Sequence, residues 1–226
     1  YNQPEAGQEP SATGKWKVVG VTNTAPVLSH KGTDASSETN RKVYDSGTTI
    51  TKEMLAELVT VTDPEDNAAD ANNKPYGSTT LEIVSGLTET PGQATPSGNY
   101  TVTLKATDSQ GRKSNTLTVY VGVKAATPQA PTISQWQNGN VKVTPDSTNS
   151  GDKITIPLKS GSVEVTKDAQ NRWQVTGQPN GVSVRNGSIE IPRNLVNTTV
   201  TATASKGEGD VEAVSSEGTH TLTTHK

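Results

Sequence analysis

The sequence predicts an all-β chain built as two tandem sandwich modules, and three observations predict it. Thr and Val recur in short alternating runs, Gly and Pro (20 and 13 of 226 residues) punctuate those runs, and long helix-forming stretches are missing. A chain of 226 residues is long enough for two domains of about 100 residues each. Apolar residues make up only 29% and Phe is absent, so the cores are expected to be thin. A net charge of −3 gives too little self-repulsion to hold such a chain open.

Taken in order, residues 1–14 are polar, contain Pro and Gly and read as a linker. The first module spans 15–124. Its opening run WKVVGVT is strand-like, Pro26, Val27 and Leu28 begin a second short strand, and His30 to Arg41 reads as an exposed loop. Over Thr51 to Leu58 the period changes: Met54, Leu55 and Leu58 fall at helical spacing, Thr51 can cap and Glu53 lies in the first turn, which predicts a helix of two turns at most. Val59 and Val61 then alternate with threonines until Pro64. A polar loop to Tyr76, a strand at TTLEIVSG and a Pro/Gly-rich connection lead into GNYTVTLKATDSQGRKSNTLTVYVGV. There Tyr100, Val102, Leu104 and Ala106 share one face of the first of two strands joined by the turn Asp108–Gly111.

The stretch 125–130 (AATPQA) lacks periodicity and is the expected boundary. The second module spans 131–226, with strands at PTISQW, NVKVTP, DKITIPL, GSVEVTK, RWQVTG, GVSVRN, GSIEIP and NTTVTATAS, and a final strand broken over VEAV and THTLTT. The two halves do not read as copies of one repeat, because the helix belongs only to the first and the VEVTKDAQNRWQVTG hairpin only to the second. In both, seven to nine short strands per roughly 100 residues suit a two-sheet sandwich.

Several function classes are excluded. The charge is mildly acidic without a basic stripe and aromatic residues are only 4%, so a nucleic-acid partner finds neither footprint nor stacking platform. No apolar run approaches a membrane-spanning length. Cysteine is absent, and His30, His220 and His225 lie in polar surroundings far from a serine elbow or metal-ligand spacing, so no enzyme is expected. Without disulfides, the modules must be held by packing, by metal ions or by a rarer link such as a Lys–Asn isopeptide. The chain opens at Tyr1 and reads as an internal fragment, with export signal and anchor expected outside it.

The segments ITKEMLAELVTVTDPED and TPSGNYTVTLKATDSQGRKSNTLTVYVGV resemble the immunoglobulin-like and cadherin-like repeats of Gram-positive wall-anchored surface proteins. NGNVKVTPDSTNSGDKITIPL, VTKDAQNRWQVTG and GSIEIPRNLVNTTVTATAS look like another repeat of giant matrix-binding adhesins. The resemblance implies immunoglobulin-like or cadherin-like sandwiches in a monomeric, non-catalytic virulence adhesin on the bacterial surface. Such a region would bind a host glycan or matrix protein; the alternative is a structural stalk. Tyr100 and Thr101, then Ala106, Thr107 and Asp108, are also similar to a motif of Siglec-like adhesin domains. Valine stands at 102 where that family's arginine would pair with a sialic acid carboxylate, so this activity is not implied.

Tyr100, Thr101 and Arg112 are therefore the candidate ligand contacts, with Arg112 and Lys113 as an anion-contacting pair beside the turn. Asp63, Glu65, Asp66 and Asp108 offer hard oxygen ligands that strand parity would bring to one pole, which makes calcium the candidate cofactor; ordinary Asp-capped turns are the alternative. Trp16, Trp136 and Trp173 lie in strand patterns, so burial is expected, with sugar stacking as the competing role.

Overall fold

A computed structural model describes residues 23–66, 77–177 and 181–223, together with the backbone of Gln8–Pro10 and Trp16–Val18. The chain is all-β, with one short α-helix among the described residues. Gln8–Pro10 (β1) pairs antiparallel with Trp16–Val18 (β2), so the stretch read as linker already holds a strand. Val27–His30 (β3) and Lys42–Tyr44 (β4) follow, then α1 (Lys52–Ala56), Val59–Thr62 (β5), Thr80–Ser85 (β6), Gly98–Thr107 (β7) and Leu117–Val123 (β8). The helix is as short as expected: Thr51 accepts from Met54 N–H at 3.2 Å, Glu53 lies in the first turn, and Leu55 is its buried anchor.

By contacts the chain forms two compact units, one of residues 1–41, 50–91 and 100–120, the other of 42–49, 92–99 and 121–226. In the first, β3 and β5 make a two-stranded ribbon (Val27↔Thr62 to His30↔Val59), and β8, β7 and β6 are neighbours in a second sheet. Leu28, Val59, Val102, Leu104, Ala106 and Val119 are buried, drawn from both sheets of this thin sandwich. On β7 the burial alternates as the sequence predicts at Val102, Leu104 and Ala106, while Tyr100 is half-buried. Beside Gly86 the register of β6 on β7 shifts between Ile83 and Ser85.

The second unit holds a strand that carries no periodicity in the sequence: β4 pairs parallel with β8 (Lys42↔Val121 to Tyr44↔Val123). Its main body runs Thr132–Gln135 (β9), Val141–Thr144 (β10), Lys153–Pro157 (β11), Ser162–Lys167 (β12), Trp173–Thr176 (β13), Ser183–Arg185 (β14), Ser188–Ile191 (β15), Thr199–Lys206 (β16), Ala213–Val214 (β17) and Gly218–Thr221 (β18). One sheet is ordered β14–β15–β10–β9 and the other β13–β12–β11–β16–β17, with β18 also on β16. Ile133, Val141, Val143, Ile189 and Ile191 from the first sheet meet Ile154, Ile156, Val163, Val165, Val200, Ala202 and Ala204 from the second in one core, which makes this a sandwich. The inward set falls on every second residue, because successive side chains of a strand point to opposite faces.

Candidate functional site

The four acidic residues singled out in the first module do come together. Asp63 and Asp66 follow β5, Asp108 follows β7, and all three are buried. Asp63 Oδ1 accepts from the backbone N–H of Glu65 (2.9 Å) and Asp66 (3.1 Å), an Asp turn of the ordinary kind. Asp66 reaches across: Ser109 donates to it from its backbone N–H at 2.7 Å and its hydroxyl at 2.8 Å. Asp108 Oδ1 takes the N–H groups of Gln110 (3.0 Å) and Arg112 (2.8 Å), and Asn23 Nδ2 donates to Oδ2 at 3.0 Å. Thr24 donates twice to Glu65 Oε1, and the Arg112 guanidinium donates to the Asn23 carbonyl. The arrangement is a clasp that holds the incoming segment 23–24 against two turns.

Its electrostatics follow from that geometry. Burial pushes the Asp63 carboxyl above the usual 3.8; the neighbouring Glu65 carboxyl and Asp66 charge add to this, and two backbone N–H groups offset part of it. Burial also opposes ionisation of Asp108, yet the N–H of Arg112, the Asn23 amide, the Gln110 N–H and the Arg112 charge together hold it below the usual range. Among the described residues no group of three or more acidic or imidazole side chains is arranged to hold a metal ion. Asp63 Oδ1, Asp66 and Asp108 meet N–H and O–H donors, while Glu65 Oε2 is buried without a hydrogen-bond partner among the described residues.

Tyr100, Thr101 and Arg112 are not one contact surface. Tyr100 and Thr101 open β7 and Arg112 lies beyond its far end, separated by about 23 Å of strand. Arg112 belongs to the clasp, and Arg41 Nη1 donates to the Tyr100 carbonyl at 3.3 Å. Lys113 pairs with Glu82 at 3.4 Å between exposed side chains, a contact worth little on its own.

The second module contains the feature that sequence reasoning missed. An open cleft of about 660 Å³ lies where β13 and β14, edge strands of the two sheets, face each other. Trp173, Val175 and Val184 line it, all half-buried and packed against the core, and Asn171, Arg172 and Gln174 supply its polar wall. Asp168 organises that wall. Its Oδ1 accepts from the backbone N–H of Gln170 and Arg172 (both 2.9 Å), and its Oδ2 accepts from Arg172 Nε (3.3 Å) and Gln174 Nε2 (3.1 Å). The N–H of Arg172 is the largest influence holding Asp168 below the usual carboxylate range. Asn171 takes φ +61°, a left-handed position that Asn tolerates and that closes the turn.

Neither described tryptophan is fully buried, contrary to expectation. Trp136 is half-buried and covered: Arg185 Cζ lies 4.0 Å and Lys142 Nζ 4.5 Å from its ring centroid, and Arg185 is held by Glu190 at 3.0 Å. Beside Trp173 the cation is Lys167, whose Nζ lies 5.2 Å from the ring centroid. The side chain of Trp16 lies outside the described residues, as does His225. His30 Nε2 meets the Thr118 carbonyl at 2.7 Å and His220 Nε2 meets Gln135 Oε1 at 3.0 Å, so each has a structural partner.

No protein-family model and no curated protein matches this chain. Among solved structures, similarity is found to a 1.5-MDa bacterial ice-binding adhesin (14% identity, 95% of this chain and 71% of the other, TM-score 0.33). A second is the D00-D0 domain of intimin (12%, 86% and 98%, 0.27). A third is a Bacteroides ovatus surface glycan-binding protein in complex with a mixed-linkage heptasaccharide (14%, 88% and 48%, 0.25). Likeness at this level transfers neither ligand nor activity. Among the described residues no helix is long and apolar enough to cross a membrane.

Proposed function

We propose that this chain is a non-catalytic adhesin segment of a bacterial cell-surface protein, and that its second module contacts an extracellular glycan through the Trp173 cleft. The cleft is the observation that carries the reading. An indole face suits the apolar C–H face of a sugar ring, while the side chains of Asn171, Arg172 and Gln174 offer donors and acceptors to its hydroxyls. The Asp168 contacts fix Arg172 and Gln174 before a ligand arrives, which lowers the ordering cost of binding. The cleft also falls within the usual volume of small-ligand sites, roughly 300–1,000 Å³.

A glycan array and a matrix-protein panel, each run with the whole chain, test the proposal. Binding to a glycan is expected, and Trp173→Ala should weaken it at least about tenfold, a loss of about 1.4 kcal/mol, while the thermal unfolding transition stays cooperative. Glycan binding that Trp173→Ala leaves intact would remove the cleft from the proposal. Silence on both panels would favour the structural stalk. One observation suits that second reading: 125–130 is tied down by Ala125 N–H to the Val211 carbonyl and Gln129 N–H to the Asn149 carbonyl (both 2.9 Å), as a connection that transmits tension would be.

A further inference from the structure

A second cavity of the same module, about 480 Å³, lies beside the short 3-10 turn Arg193–Leu195 and the start of β16. Lys159, Arg193, Asn194, Asn197 and Thr198 line it over Val196 and Leu222. Backbone bonds set its frame: Lys159 N–H donates to the Leu195 carbonyl at 2.9 Å, and Leu222 N–H to the Thr198 carbonyl at 2.8 Å. Arg193 is fixed at its own backbone, where its N–H donates to Asn140 Oδ1 at 3.1 Å.

Two features distinguish this cavity from an ordinary polar surface. Among the described residues its lining contains two cations and no carboxylate, and neither Lys159 nor Arg193 forms an ion pair. Arg193 Nη1 is also buried with no hydrogen-bond partner among the described residues. A buried guanidinium N–H without an acceptor is costly, and such an atom points to a group that completes it. The fitting complement is an oxyanion, because a guanidinium fork and an ammonium together favour planar or tetrahedral anionic oxygens.

We propose that this cavity binds the anionic group of an acidic sugar, with Arg193 as the forked donor and Lys159 as the second charge. The inference rests on the glycan reading for the class of ligand but uses a site distinct from the Trp173 cleft. The anion is a carboxylate of an acidic monosaccharide or a sulfate ester, and the test separates them. The amides of Asn194 and Asn197 and the Thr198 hydroxyl would meet neighbouring sugar hydroxyls.

The experiment is an NMR titration of the isotopically labelled whole chain with oligosaccharides matched except for one group (neutral, carboxylated or sulfated), and with inorganic sulfate. An acidic member is expected to bind at least about tenfold tighter than its neutral partner, a preference of about 1.4 kcal/mol. Its shifts should fall at 159 and 193–198, and the preference should weaken with added salt. Arg193→Gln and Lys159→Gln should each abolish the preference. Should Arg193→Gln unfold, Arg193→Lys provides the second test: it keeps the charge, loses the fork and is expected to retain only part of the preference. Equal affinity for neutral and acidic members, a preference that survives Arg193→Gln, or no response to any anion would overturn the proposal. Trp173→Ala should leave the acidic preference intact, so failure of the cleft and failure of this site are distinguishable.

Discussion

Asp63 shows how one buried carboxyl can be read for its effect on stability. Its pKa is raised by burial and by Glu65 and Asp66 beside it. An acid whose folded pKa lies above its unfolded value opposes folding as pH rises between the two, and the penalty is complete above the folded value. Asp63→Asn keeps an oxygen for the N–H groups of Glu65 and Asp66 and removes the charge. The variant is therefore expected to gain stability relative to the parent as pH rises from 3 to 7, measured as the difference in melting temperature across that range. A flat difference would contradict it. Calcium stays the proposed ion for Asp63, Glu65, Asp66 and Asp108: the parent is expected to melt several degrees higher in calcium than in chelator, Asp63→Ala to lose the difference, and identical melts would end the proposal. Asp108 has the opposite sign, since its depressed folded pKa contributes stability that is lost as pH falls through that value.

At the scale of elements, the strands were legible and their special positions were not. Alternation placed Val102, Leu104 and Ala106, and likewise Val163 and Val165, because a buried face forces a period of two. Gly86 is different: it sits at φ +91°, and a Cβ there would lie 1.9 Å from the Thr101 carbonyl oxygen. Gly86→Ala is expected to destabilise the chain by about 1–3 kcal/mol, read from chemical denaturation, since backbone must shift to admit the methyl. The modules also share devices that the sequence reading passed over. DSQGR (108–112) and DAQNR (168–172) fold as the same turn, with Asp accepting from the residues two and four ahead. The Ser114 hydroxyl accepts from Ala106 N–H as the Ser215 hydroxyl accepts from Ala204 N–H, and the donors lie on β7 and β16, where buried Val102, Leu104 and Ala106 correspond to buried Val200, Ala202 and Ala204. The two halves do not align as wholes because the shared pieces come in a different order: in the first module the turn lies between Ala106 and Ser114, in the second it precedes both Ala204 and Ser215.

At the scale of the molecule, 125–130 is where sequence and structure speak to different properties. Pro and the break in periodicity mark it as a boundary, whereas its hydrogen bonds and the burial of Ala125 and Pro128 seat it on the second unit. Limited proteolysis followed by mass spectrometry is expected to show early cuts elsewhere; a first cut within 125–130 would mean that the seat opens readily. The sequence by itself determined the all-β class, the short helix and nearly every strand of the second module, because these depend on local propensity and on a period of two. Only the tertiary structure decided that β4 pairs with β8, that Asp66 meets Ser109, that Trp173 faces a cleft while Trp136 is covered, and that Arg193 Nη1 is left without an acceptor among the described residues. Each of these depends on residues far apart in the chain, or on which edge strand a side chain adjoins, and neither leaves a periodic trace in the sequence.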